Sequence, residues 1–249
     1  VQIDVFFGTA GLTTNDTSGR VVVVIDVLRA STSIATALAN GARAVIPVDS
    51  TEEVVMRAKA FARSEVKLAG ERQMRPVPGF DLGNSPREFT REAIEGKTVL
   101  LSTTNGTSAI AVLQQGPRDV VIGSYVNFSA VLAMLRTALR GGTDVAILCA
   151  GRERQFSLED AACAGRYVHH AIRRRSDVAL NDAAFAAMLI DRRYSDNLMR
   201  LFSASAHGRA LSEAGYGEDL SDCAAIDSYP VIPIYQDRQI TKLGPERAR

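Results

Sequence analysis

Charge of either sign is almost cancelled: 29 Lys plus Arg face 28 Asp plus Glu, a formal net charge of +1. Such a chain offers no general field to gather nucleic acid or an anionic membrane, so any preference for anions has to be local. Cysteine is scarce. Cys149, Cys163 and Cys223 are odd in number and show no CxxC spacing, which argues against a disulfide framework or a structural zinc site and for a reducing compartment. They read as small buried hydrophobes. The three histidines, His169, His170 and His207, fall on predicted helices and read as surface or core residues. No apolar run approaches the roughly 20 residues of a membrane span, and Val1-Gln2-Ile3-Asp4 has no basic segment leading into an apolar one. An unexported, cytoplasmic protein is expected. Low-complexity tracts and repeats are also absent, and only a polar tail, Asp237 to Arg249, is expected to fray. At 249 residues a single domain over 1–249 is expected, with two similar halves meeting near residue 120 as the alternative.

Strand-like apolar runs recur at Ile3–Phe7, Val21–Val27, Ala44–Val48, Val66–Ala69, Thr98–Ser102, Val120–Ile122 and Val145–Cys149. Helix-like segments separate most of them, which is the alternation of an α/β protein with a largely parallel or mixed sheet. Ser50 with Glu53, Ser85 with Pro86 and Glu88, and Ser157 with Asp160 have the spacing of helix starts, and Gly41, Gly116 and Gly141 supply stops. Phe128, Val131, Leu132, Leu135 and Leu139 lie on one face of a predicted helix that packs on the sheet. Beyond residue 180 the chain reads as helices at Asp182–Arg192, Asp196–Ala204 and His207–Ala214, then a last strand at Val231–Tyr235.

Chemistry gathers where strands end. Val21–Val27 is the kind of β-branched run that is covered on both faces, and it leads through Asp26 and Arg29 into Ala30-Ser31-Thr32-Ser33 at the start of a helix. Carboxyl ends of strands and helix N-termini are where α/β proteins bind anions. A plain helix cap at Ser31 or Thr32 is the structural alternative. The pattern returns at Ser102-Thr103-Thr104-Asn105-Gly106-Thr107, ahead of a helix expected over Ala109–Gln114. There Gly106 lets the backbone approach a ligand, and hydroxyls with successive N–H groups make a concave anion receptor. A third strand leads into Ala150-Gly151-Arg152-Glu153-Arg154 and then Glu159-Asp160. Between the first two loops lie Gly70-Glu71-Arg72 and the turn-rich Pro76–Pro86, with Asp81 between glycines and with Ser85 and Glu88 read as caps. Asp26, Glu71, Asp81 and Asp160 are thus four carboxylates on loops that could meet. Oxygen ligands of this kind suit Mg²⁺, which takes one or two carboxylates plus waters and phosphate oxygens. Arg29, Arg72 and Arg152 supply charge-assisted bonds to a substrate with more than one negative group.

Several phosphate chemistries are excluded by the same residues. No GxxxxGK[ST] and no strand-borne GxGxxG is present. The arginines at 152 and 154 miss the C-x5-R spacing of cysteine phosphatases, and Leu28 stands where haloacid-dehalogenase phosphatases carry a second Asp.

Taken together, Asp26–Ser33, Gly70-Glu71-Arg72, Gly79–Pro86, Ser102–Thr107 and Cys149-Ala150-Gly151 with Glu159-Asp160 resemble the 2-phosphosulfolactate phosphatase family over roughly residues 1–230. The resemblance implies a three-layer α/β/α fold and a Mg²⁺-dependent acid phosphatase that converts 2-phospho-3-sulfolactate to 3-sulfolactate and phosphate, a step of coenzyme M biosynthesis. With that substrate, Ser102–Thr107 and Arg29, with Ser31 and Thr32, are expected to hold phosphate, and Arg72 and Arg152 the sulfonate or carboxylate. Asp26 and Asp160, with Glu71 or Asp81, are expected to ligate Mg²⁺, and one of these carboxylates to act as base for direct water attack. A phosphoenzyme through Asp26, Ser102 or Cys149 stays open. So do a phosphatase for another small phosphorylated hydroxy acid and a non-catalytic small-dianion-binding protein. A homodimer is expected from the size and class alone.

Overall fold

The structure is a computed structural model and describes residues 1–113, 116–153 and 155–244. Its strands are Gln2–Phe6 (β1), Val21–Ile25 (β2), Ala44–Pro47 (β3), Val66–Arg72 (β4), Arg75–Pro76 (β5), Thr98–Ser102 (β6), Asp119–Gly123 (β7), Val145–Cys149 (β8), Ala179–Leu180 (β9), Pro233–Gln236 (β10) and Gln239–Lys242 (β11). The helices are Thr14–Thr17 (α1), Ala30–Ala39 (α2), Thr51–Ala58 (α3), Arg91–Ile94 (α4), Gly106–Ala111 (α5), Phe128–Arg140 (α6), Leu158–Ala171 (α7), Asp182–Tyr194 (α8), Leu198–Ala204 (α9), Ala206–Glu213 (α10) and Gly217–Cys223 (α11).

All the strands belong to one sheet in the order β5-β4-β6-β3-β11-β10-β7-β2-β8-β1-β9. It is mixed in a specific way. One parallel set, β4-β6-β3, and a second, β7-β2-β8-β1-β9, are joined by the antiparallel hairpin β10–β11. The tail expected to fray therefore contributes a strand through Lys242, and Ile240 is fully buried against Val45.

Three layers follow from the two-residue period of a strand. In β2, Val21, Val23 and Ile25 pack on one core with Phe128, Val131 and Leu135 of α6 and with Tyr167 and Val168 of α7. Val22 and Val24 pack on the other core with Ile34 and Leu38 of α2 and Ile110 of α5. An uninterrupted apolar run is what a strand with helices on both faces requires. Helix α2 touches β3 and β7, and α5 touches β2 and β3. One helical layer thus spans both parallel sets and brings their loops together.

Local expectations held unevenly. Ser50 and Ser157 do cap α3 and α7 by accepting from Glu53 N and Asp160 N. Ser85 and Glu88 do not cap. Ser85 Oγ donates to Asp219 at 2.7 Å, and Glu88 accepts from Gly83 N. Short strands β5 and β9 and helix α11 carried too little periodicity to be expected. The third-loop Arg154 and the expected helix end at Gln114 lie outside the described residues.

Candidate active site

The turn after β2 is built around Asp26. Ser31 Oγ accepts from Asp26 N at 2.8 Å, and Asp26 Oδ1 accepts from Ala30 N at 3.2 Å. Asp26, not Ser31 or Thr32, therefore receives the first amide of α2. Thr32 Oγ1 donates to Val27 O at 2.9 Å and pairs with Ser124 Oγ at 2.8 Å. Ser31 and Thr32 are buried inside the helix, and both hydroxyls already have partners within the protein. The Leu28–Arg29 peptide is cis.

After β6 the chain makes a second tight loop. Thr103 Oγ1 accepts from Thr107 N, Thr107 Oγ1 accepts from Thr103 N, both at 3.3 Å, and Thr107 Oγ1 donates to Thr103 O at 2.9 Å. This reciprocal pair sets the start of α5. Gly106 then lies against Asp26. A Cβ at this position would stand 2.6 Å from Ala30 Cβ and 2.8 Å from Asp26 Oδ2.

Glu71 and Arg72 belong to β4 itself, which runs further than the apolar signal, and they turn into β5 through Gln73 and Met74. Both of those residues have positive φ, as a two-residue hairpin of type I′ requires. Glu71 is buried, and its two oxygens accept from Thr104 N and Met74 N, each at 2.8 Å. It ties the hairpin to the hydroxyl loop. Arg72 donates to Ser102 O and Ser102 Oγ at 3.2 and 2.8 Å, so Ser102, fully buried, orients the arginine.

These loops enclose a cavity of about 330 Å³. Of the expected residues, Asp26, Arg29, Glu71, Arg72, Thr103, Thr104, Asn105 and Arg152 line it. Ser102, Gly106 and Thr107 stand behind the wall as supports. Arg29 is already committed: it pairs with buried Asp219 at 2.7 Å, donates to Met74 O at 3.0 Å and lies 4.4 Å from the Tyr216 ring centroid. Arg152, by contrast, has no side-chain partner among the described residues.

Two of the four carboxylates are not in the cavity. Asp81 accepts from Leu68 N at 2.9 Å and pairs with Arg63 at 2.5 Å and Lys67 at 3.6 Å, which secures the outer edge of β4. Asp160 is buried, and its oxygens accept from Val27 N at 2.9 Å and Gly151 N at 3.1 Å. It joins the first and third loops from behind. Among the described residues no group of three or more His, Cys, Asp or Glu is arranged to hold a metal ion. Of the four expected carboxylates, the cavity brings together Asp26 and Glu71, while Asp81 and Asp160 stand outside it.

Electrostatics single out the same place. Burial raises the Asp26 carboxyl to about 6, and Glu71 and Glu159 push in the same direction against His207 and the Ala30 amide. Burial, Asp26 and Glu159 lift Asp160 well above the carboxylate range. The Cys149 thiol is fully buried and raised by that burial, which leaves neither the access nor the thiolate that a nucleophile needs.

His207 was expected to be structural, yet it lines the cavity, with Nδ1 3.3 Å from Oε1 of buried Glu159. Nothing in a lone histidine on a late amphipathic helix signals this; the only hint is that its partner adjoins Asp160. Asn84 also lines the cavity, and its Oδ1 is buried without a hydrogen-bond partner among the described residues.

Fold and site together define an α/β enzyme with two buried carboxylates and three arginines lining one cavity. The model of the family described as 2-phosphosulpholactate phosphatase matches residues 8–238. A probable 2-phosphosulfolactate phosphatase of Symbiobacterium thermophilum is 41% identical over 226 residues, 91% of this chain and 95% of the relative. Those of Caldanaerobacter subterraneus subsp. tengcongensis and Thermotoga maritima are 38% and 37% identical, each over 88% of the relative, covering 88% and 86% of this chain. The chain belongs to the 2-phosphosulfolactate phosphatase family. No described helix is long and apolar enough to cross a membrane.

Proposed function

We propose that this chain hydrolyses the phosphate ester of 2-phospho-3-sulfolactate in the cavity between Asp26, Glu71 and Arg152. The observation that carries the reading is Arg152: an arginine that lines the same cavity as two buried carboxylates, with no side-chain partner among the described residues, is explained by a ligand with several negative groups. Its guanidinium and that of Arg72 take anionic oxygens of the substrate, while the Thr103–Asn105 loop closes one side. The buried Asn84 amide meets a polar group of the organic part, which would otherwise leave it unsatisfied.

The donor set suits Mg²⁺ in its usual form, one or two carboxylates completed by water and phosphate oxygens. Asp26 and Glu71 would hold it, and when bound it neutralises charge on the phosphoryl oxygens and favours hydroxide over water. Water adds to phosphorus and gives up a proton to one of these carboxylates as the P–O bond to the organic part breaks, and the leaving oxygen needs a proton. His207, held through Nδ1 by Glu159, supplies that proton through Nε2. Phosphate release should be measured over phosphorylated hydroxy acids and sulfonates with and without Mg²⁺. Selective Mg²⁺-dependent turnover of 2-phosphosulfolactate supports the proposal. Equilibrium binding of that compound without turnover in Mg²⁺ would replace the enzyme with a dianion-binding protein.

The expected homodimer is best served by α8. Asp182, Phe185, Leu189 and Arg192 are exposed on one stripe of it, Phe185 at 56% and Leu189 at 63%. An antiparallel pair centred on Ala187 sets Phe185 on the partner's Leu189 and Asp182 on the partner's Arg192, a self-complementary surface. Sedimentation should give a dimer that Leu189→Asp converts to monomer; a monomeric wild type sinks this assignment.

A further inference from the structure

A second concentration of positive charge lies away from the active site. Arg136 and Arg140 of α6 and Arg173, Arg174 and Arg175 just after α7 line one cavity of about 540 Å³ with Ala171. Five of the chain's 29 Lys and Arg residues meet there, although the net charge is only +1. Their partners leave most of that charge uncompensated. Arg136 donates to His170 O at 2.8 Å and Arg140 to Thr137 Oγ1 at 3.0 Å, both neutral acceptors. Arg175 pairs with Asp177 at 2.5 Å. No other carboxylate is paired with these five among the described residues.

Cations at the ends of α6 and α7 are favoured by the helix dipoles, which accounts for one arginine at each end. It does not account for five around one hollow. Nor does it account for Arg175 Nη1, which is shielded from solvent without an acceptor. A guanidinium N–H left in that state is costly unless an acceptor arrives.

We propose that this cavity is a second anion site that binds a small molecule carrying two or more phosphate groups. One phosphate cannot balance a hollow with four arginines beyond the Arg175–Asp177 pair, whereas a diphosphate presents enough oxygens for several guanidinium forks. The volume is within the range of small-molecule sites. Helix α7 connects it to the active site: Asp160, near the first turn, holds Val27 and Gly151 beside the catalytic loops, and Ala171 at the last turn lines the arginine cavity. The two positions are roughly 17 Å apart along a rigid element.

The test is calorimetric titration of inorganic pyrophosphate into the full chain in EDTA at moderate salt, beside inorganic phosphate, a short single-stranded oligonucleotide and the variants Arg140→Gln/Arg174→Gln and Arg152→Gln. Pyrophosphate should bind at least 10-fold more tightly than phosphate. The double substitution should weaken it at least 10-fold with an unchanged melting temperature, and Arg152→Gln should leave it unchanged. Loss of binding with Arg152→Gln alone would place the ligand in the active site and overturn the proposal. Equal binding by the double variant, or tighter binding of the oligonucleotide than of pyrophosphate, would overturn it as well.

Discussion

Asp26 Oδ2 lies so close to Gly106 that a Cβ on the glycine would stand 2.8 Å from it. The loop after β6 is thus pressed onto the carboxylate that ends β2, and only a residue without a side chain fits between them. Gly106→Ala must displace Asp26 or Ala30. We expect at least a 10-fold fall in kcat/KM with a stability loss of about 1–3 kcal/mol, as for overpacking elsewhere. Steady-state kinetics and urea unfolding would show it; wild-type values for both would mean that the approach is not tight in solution.

Asp26 should cost stability in return for its place in the site. Its carboxyl is raised from 3.8 to about 6 in the folded chain, so folding takes up a proton between those values. Stability consequently falls as pH rises through that window, and the cost is complete above about pH 6. Asp26→Asn removes it and is expected to raise stability at pH 7.5 by up to about 3 kcal/mol, little at pH 4, while lowering turnover at least 100-fold. Urea midpoints at the two pH values test the sign: a variant less stable at pH 7.5 would contradict it.

The two carboxylates outside the cavity separate a two-ligand from a four-ligand metal site. Asp81→Asn should retain wild-type activity and Mg²⁺ dependence, losing about 1–2 kcal/mol, since the carboxylate is mostly covered and pairs with a largely exposed Arg63. Glu71→Gln should raise the Mg²⁺ concentration for half activity at least 10-fold. If Asp81→Asn shifts that concentration as far as Glu71→Gln does, Asp81 reaches the metal after all.

The arginines should divide into binder and brace. Arg152→Ala removes a side chain with no partner among the described residues and is expected to raise KM 10-fold or more with no change in melting temperature. Arg29→Ala strands buried Asp219 and should destabilise the chain by about 3–5 kcal/mol. Thermal unfolding of both variants decides it; an unaffected Arg29→Ala would mean that Asp219 finds water.

Strand positions were legible because β2, β6 and β8 bury both faces, and runs such as Val21–Ile25 announce that burial directly. The loops of the site were legible for the same reason, since polar residues placed directly after such runs have few structural duties. What could not be read was which of them faced inward. Ser31, Thr32 and Ser102 look like ligands in sequence, but their hydroxyls serve backbone groups and Arg72. Asp81 looked like Glu71 until Arg63 and Lys67 were seen beside it. His207 reaches the site only because α10 folds over the carboxyl ends of strands laid down more than a hundred residues earlier. Local sequence carries no record of such an approach.

The hairpin Pro233–Lys242 is the only hydrogen-bonded link between the two parallel strand sets among the described residues. During synthesis each set can form its own ladder, but their edge strands β3 and β7 stay uncovered until the hairpin emerges. Exposed edges of that kind are where chains join to one another. Nascent or truncated chains lacking these residues would accordingly be the aggregation-prone species, and completion of the sheet would coincide with their arrival.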